Sequence, residues 1–258
     1  NKKAKAILQV WLPGTEGARA IVDTLFGKYN PSGKLPMSFP YCVGQVPVHY
    51  NEYSTGRPHI EGKDKDRFRS KYLDIPNEPL YPFGYGLSYT TFEVSDIHLD
   101  RTWMDTSGQI EAEVTVKNTG KIYAGKEVVQ VYIAKPQGKL GKPAKELVAF
   151  EKTRELQPGE SQLMILTWEI NDMASYDDLG KVKKSAYVLE AGSYDIYVGT
   201  SVRDVTKADY SYILNHDVIT EQLSAKLVPT SLPKRMLADG SYEALPQSEP
   251  VAFKSRFI

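Results

Sequence analysis

A chain of 258 residues is longer than one ordinary domain and too short for three, so two domains with an appendage are expected. Hydrophobic residues at 41% and charged residues at 25% describe a globular protein, and 32 Lys plus Arg against 32 Asp plus Glu give no bulk charge to draw it to nucleic acid or an anionic membrane. Cys42 is the only cysteine, which excludes an internal disulfide and a thiolate metal cluster but leaves periplasmic, secreted and cytoplasmic settings open.

Ala6 to Trp11 (AILQVW) is a short apolar run that predicts a buried strand of a parallel sheet, ended by Pro13-Gly14. The chain enters it directly from Asn1 rather than from a methionine, so further sequence, with any leader, is expected upstream. Ala18, Ile21, Val22, Leu25 and Phe26 recur at three and four, the stripe of a helix, with Thr15 as its N-cap and Gly27 at C′. After the Asn30-Pro31-Ser32-Gly33 turn, LPMSFP predicts a short edge strand between prolines. From Tyr41 to Ser88 no helical period persists. Pro47, Pro58, Pro76, Pro79, Pro82 and the charge-dense run 61–71 mark this stretch as a functional loop or partner surface.

From Phe92 the period becomes two. FEVSDIHLD, QIEAEVTVK, EVVQVYIAK, KELVAFEKTREL, SQLMILTWEI, SAYVLEA and YDIYVG are separated by turn formers and predict an immunoglobulin-like or fibronectin type III-like sandwich. Ile110, Ala112, Val114 and Val116 are expected inward, with Glu111, Glu113 and Lys117 in solvent. Beyond Thr200 only residues 218–228 show a pattern, Ile219, Leu223 and Leu227 at intervals of four, which predicts an amphipathic helix.

The chemistry-bearing residues form no complete site. His49, His59, His98 and His216 have no ligand spacing, Ser32 lacks a nucleophile elbow, and the glycines of PGTEG lack the order of a phosphate loop. Glu52, Glu61, Asp64, Asp66, Asp74 and Glu78 supply carboxylates, most of them among lysines and arginines, with nothing to fix a catalytic pair. The stretch from Val48 to Tyr72 does combine His49, Tyr50, Tyr53, Arg57, His59, Arg67 and Arg69, groups that stack on sugar faces or donate to hydroxyls. His49, Tyr53, Arg57, His59 and Arg69 are therefore candidate substrate-rim residues. That Arg57 and Arg69 only tie the loop to its domain stays open.

The order of segments resembles the C-terminal part of glycoside hydrolase family 3, nearest to the periplasmic-type bacterial β-glucosidases. The strings that carry it are AILQVWLPGTEGARAIVDTLFGKYNPSGKLPMSFP (6–40), VGQVPVHYNEYSTGRP (43–58), RSKYLD (69–74), EPLYPFGYGLSYTTFEVSDIHL (78–99), VKNTG (116–120), GKEVVQVYI (125–133), KPAKELVAFEKTRELQPGES (142–161) and EAGSYDIYVGTS (190–201). The resemblance implies an α/β plus all-β fold class: 1–91 as the C-terminal part of an α/β sandwich domain with a long loop, 92–200 as a fibronectin type III-like domain, and 201–258 as a C-terminal extension. It also implies that the aspartate nucleophile and the acid/base glutamate lie upstream, because neither motif has a counterpart here. No catalytic residue, metal or cofactor is then expected in this segment, which would be inactive alone. The implied parent is a retaining exo-acting β-glucosidase that removes terminal non-reducing β-D-glucosyl residues. Its implied partners are a β-glucoside or oligosaccharide substrate, the upstream catalytic domains and a second copy in a homodimer, with neither nucleic acid nor membrane. Two alternatives stay open: a non-catalytic carbohydrate-binding or cell-surface module, and β-xylosides as substrate.

Overall fold

The computed structural model describes residues 4–55, 57–60, 62, 67–100, 108–224, 233–237 and 240–244. The expected strand at Ala6–Trp11 does not form: the segment is irregular and every residue in it is exposed. A parallel strand needs hydrogen-bonding neighbours, and among the described residues none lies alongside it. Helix α1 spans Gly17–Leu25, but its N-cap is Glu16 rather than Thr15, with no side-chain cap bond. The Gly17 amide already bonds to Gly14 O at 3.2 Å, so the turn before the helix supplies that partner. Gly27 takes the left-handed conformation expected at C′, with φ +74°. Val22, Leu25 and Phe26, the apolar stripe of α1, face solvent, Phe26 at 81% exposure.

LPMSFP forms only a single antiparallel bridge, Phe39 to Tyr81, rather than a strand. Leu35 and Tyr85 lie beside each other further along, but Pro36, Pro40 and Pro82 have no N–H to carry the ladder on.

The sandwich is built from β1 (Phe92–Leu99), β2 (Gln109–Asn118), β3 (Val128–Ala134), β4 (Glu146–Lys152) and β5 (Ser161–Glu169). A side strand, β6 (Ser175–Asp177), follows, then β7 (Ala186–Leu189), β8 (Gly192–Gly199) and β9 (Val205–Leu214). One sheet has the order β1-β2-β5 and the other β4-β3-β8-β9. On β2 the alternation holds as expected: Ile110, Ala112, Val114 and Val116 are fully buried, and Ile110, Ala112 and Val114 oppose Trp168, Leu166 and Met164 of β5. The segment SAYVLEA, expected in the sandwich sheets, is instead the middle strand of a small sheet with β6 and β10 (Val218–Gln222). The predicted helix at 218–228 is instead a strand over Val218–Gln222 followed by irregular chain at 223–224; 225–228 lie outside the described residues. A short hairpin, β11 (Lys234–Met236) and β12 (Tyr242–Ala244), closes the described chain.

Strand β3 is buried on both faces. Val129, Val131 and Ile133 enter the sandwich core, whereas Gln130 and Tyr132 point the other way and are covered by the loop region that precedes the sandwich. This second cover is what seats the candidate rim.

Candidate functional site

The long loop is anchored by residues with no catalytic chemistry. Gln45, fully buried in a 3-10 turn at Val43–Gln45, donates from Nε2 to the carbonyls of Pro76, Asn77 and Glu78 at 3.1, 3.2 and 3.2 Å and accepts the Tyr41 amide at 2.8 Å. The Tyr72 hydroxyl donates to Gln45 O at 3.1 Å, so the base of the loop closes on one side chain. Tyr50 stacks on Phe83 with centroids 4.1 Å apart, meets Tyr132 edge-on at 6.1 Å, and its hydroxyl accepts the Leu147 amide of β4 at 3.2 Å. Gln130 completes the seat, donating to Gly84 O at 3.1 Å and Thr200 O at 2.7 Å while accepting the Tyr132 hydroxyl at 2.6 Å. Asn30 ties the first turn to the same junction through Ala124 O, the Ser88 hydroxyl and the Tyr89 amide. The buried amides of Gln45 and Gln130 would each cost about 1–3 kcal/mol if left unpaired, so the loop is positioned rather than merely tethered.

On this frame the five candidate rim residues fall into two groups. Arg57, His59 and Arg69 flank a parallel bridge between Pro58 and Ser70; the Ser70 amide donates to Arg57 O at 2.7 Å, and Arg69 Nη1 donates to Pro58 O at 3.1 Å. The Arg57 side chain is exposed, while His59 and Arg69 are half-buried. His49 and Tyr53 sit on the other arm, next to the sandwich: the His49 amide donates to Glu52 at 3.1 Å, and the Tyr53 ring lies against Gly141. Burial raises the Tyr53 phenol above its usual pKa, the Glu146 and Asp178 carboxylates add to the rise, and the Arg235 guanidinium opposes it. Arg67 is exposed, and Glu61, Asp64 and Asp66 lie outside the described residues.

Beside residues 85–92 a cavity of about 500 Å³ opens between the loop region and the sandwich, lined by Lys34, Tyr85, Phe92, Glu127 and Thr206 among others. Its charged groups are already engaged: Lys34 pairs with Glu127 at 2.7 Å, and Asp204 accepts the Thr200 hydroxyl at 2.7 Å. Elsewhere the buried carboxylates are also committed. Asp23 pairs with Lys28 at 2.9 Å, Glu190 with the buried ammonium of Lys142, and Asp177 accepts the amides of Gly180, Lys181, Val182 and Lys183. Among the described residues no three His, Cys, Asp or Glu side chains converge so as to hold a metal ion. Sequence reasoning missed Gln45, Tyr50 as an anchor, and Gln130. The signal at Gln130 was a polar residue inside the otherwise apolar VVQVYI run.

Comparison with known proteins bears on this geometry directly. Residues 1–89 match the model of the glycosyl hydrolase family 3 C-terminal domain, and residues 127–202 that of the fibronectin type III-like domain. The "Beta-glucosidase A" of Butyrivibrio fibrisolvens is 48% identical over 266 residues, covering 97% of this chain and 32% of its own length. The "Periplasmic beta-glucosidase" of Salmonella typhimurium is 42% identical over 213 residues, 83% of this chain and 27% of its own. Among solved structures, a β-glucosidase from Listeria innocua in complex with isofagomine superposes with a TM-score of 0.70 at 41% identity, over 80% of this chain and 28% of that one. The chain thus spans about a third or less of the length of the relatives it matches. The expected fold class, an α/β segment joined to a fibronectin type III-like all-β sandwich, is the architecture that the two family models describe. Residues 1–89 are homologous to the glycosyl hydrolase family 3 C-terminal domain of bacterial and fungal β-glucosidases.

Proposed function

We propose that this chain is the C-terminal portion of a retaining, exo-acting β-glucosidase of the periplasmic bacterial kind, acting on terminal non-reducing β-D-glucosyl residues. The observation that carries the reading is the 48% identity to a β-glucosidase over 97% of the chain. In this reading the α/β portion spans 1–91, the fibronectin type III-like domain 92–200 and the C-terminal extension 201–258, whose first strand, β9, adds to the sandwich sheet beside β8. The upstream domains of the same protein contribute the aspartate nucleophile and the acid/base glutamate. Retaining hydrolysis needs two carboxyl groups about 5 Å apart on either side of the anomeric carbon. The buried carboxylates of this chain are instead neutralised by lysines or held by backbone amides, which fits a supporting role.

The exposed apolar side chains of 7–12 and α1 are the face that those upstream domains cover in this reading, since an apolar patch of this kind ordinarily marks an interface. His49, Tyr53, Arg57, His59 and Arg69 form part of the substrate rim, in the same subunit or, in a homodimer, beside the site of the second copy. The test is proton NMR of the first product released by the full-length protein. β-Glucose at early times is expected from a glucosyl oligosaccharide, and α-glucose first would overturn the retaining mechanism. A clear preference for β-xylosides over β-glucosides would move the substrate assignment but leave the chemistry.

A further inference from the structure

A two-stranded hairpin is marginal by itself in water, yet β11–β12 is held in one place by charge. Arg235 donates from Nε to Glu243 across the hairpin at 2.8 Å and from Nη1 to Asp178 at 3.0 Å, and Lys181 reaches the other Glu243 oxygen at 2.9 Å. The hairpin and the loop at 177–184 thus each supply one cation and one carboxylate, which alternate in charge from Asp178 through Arg235 and Glu243 to Lys181. That loop is stiff, because Asp177 accepts four of its amides, and Lys181 also donates to Lys139 O at 2.9 Å. The segment carrying Lys139 is pinned from below by Glu190, which accepts the amides of Lys139 and Leu140 and pairs with Lys142. At its tip Gly141 lies under Tyr53: a Cβ there would meet the ring at 3.8 Å. Polar contacts thus run from Arg235 through Glu243 and Lys181 to Lys139, whose segment brings Gly141 beside Tyr53, and the charges of Asp178 and Arg235 also act on the Tyr53 hydroxyl. Tyr53 itself is 65% exposed, which leaves its side chain accessible to a ligand.

We propose that the β11–β12 hairpin is a positioning element of the carbohydrate rim, holding the Tyr53 ring at the orientation in which it stacks on a sugar beyond the one being released. The proposal rests on the reading that the loop from Val48 to Tyr72 borders a sugar site. Arg235 acts through the loop at 177–184 and need not touch the substrate. A ring held by packed neighbours gives tighter binding than a free one, because less side-chain entropy is lost on stacking.

The experiment uses the full-length protein with Arg235→Ala, Arg235→Lys, Tyr53→Ala and the Arg235→Ala/Tyr53→Ala double variant. KM and kcat are measured on a small aryl β-glucoside and a β-linked glucose tetrasaccharide, and deuterium uptake is followed over 48–60. Arg235→Ala is expected to raise the tetrasaccharide KM about fivefold with kcat and the aryl glucoside unchanged, and to speed exchange at 48–60; the double variant should be no worse than Tyr53→Ala. Arg235→Lys should recover most of the loss. If Tyr53→Ala raises the tetrasaccharide KM while Arg235→Ala leaves both KM and exchange at their original values, the rim stands and the hairpin proposal is overturned. If neither variant moves KM, the rim reading itself falls and takes the proposal with it. An equal loss on both substrates would also overturn it, by showing a general structural role.

Discussion

The sandwich and the first 26 residues draw on similar apolar side chains and treat them in opposite ways. In the sandwich, the inward faces of β2 and β5 meet those of β3, β8 and β9, and Ile110, Val131, Leu166 and Ile196 lose all or nearly all of their contact with water. In the N-terminal segment Ile7, Val10, Trp11, Leu25 and Phe26 stay at least a third exposed, although their sequence is equally suited to burial. The difference lies in partners, since a strand or helix face buries only against another element. Asp23 shows that the segment is locally organised all the same, being held between Arg19 and Lys28 within and just beyond α1.

Substitutions sharpen the contrast, beginning in the core. Trp168, almost fully buried on β5, with its Nε1–H on Met173 Sδ at 3.3 Å and its ring edge-on to Tyr212, should cost about 4 kcal/mol as Trp168→Ala, measured by denaturant unfolding of the sandwich. Asp177→Ala should follow at about 3 kcal/mol, because four amides lose one acceptor. Burial alone would raise the Asp177 carboxyl, but those four donors leave it below the ordinary aspartate value of 3.8. Its contribution is therefore fully present above that value and is lost as pH falls through the folded-state pKa, so the gap between wild type and Asp177→Asn should narrow below about pH 4.

At the rim, Arg57→Ala is expected to lower kcat/KM on a glucosyl disaccharide about tenfold in the full-length protein without changing its melting temperature. Unchanged kinetics with a lower melting temperature would make Arg57 a structural tie. The smallest effect belongs to the exposed stripe. Leu25→Gln should change the stability of residues 1–258 by less than about 0.5 kcal/mol, and a larger loss would show that α1 is buried after all.

The alternation on β2 was legible because one face is buried and the other is wet. On β3 it was blurred, since Gln130 and Tyr132 are covered by Gly84 and Tyr50, far earlier in the chain, a cover that no local pattern announces. Strand β9 escaped because its pairing with β8 slips between Asp195 and Tyr197, and its buried residues, Ala208, Tyr212 and Leu214, keep no steady period of two. Ile219 and Leu223 suggested a helix by their spacing of four, which is also two steps of two; the open edge of β7 decided for a strand. The candidate rim residues were legible as chemical types only. Their placement depends on Gln45 and Tyr50, and the Tyr50 hydroxyl finds its partner 97 residues away.

The central claim, that this chain supports and borders an active site whose carboxylates it does not carry, is tested most directly by complementation. Residues 1–258 and the separately produced upstream part of the protein are assayed for hydrolysis of an aryl β-glucoside, apart and mixed. Activity is expected only in the mixture, because displacing either catalytic carboxyl by even about 1 Å already costs on the order of a hundredfold in rate. Hydrolysis by residues 1–258 alone, surviving further purification and abolished by substituting Glu52 or Asp74, would contradict it.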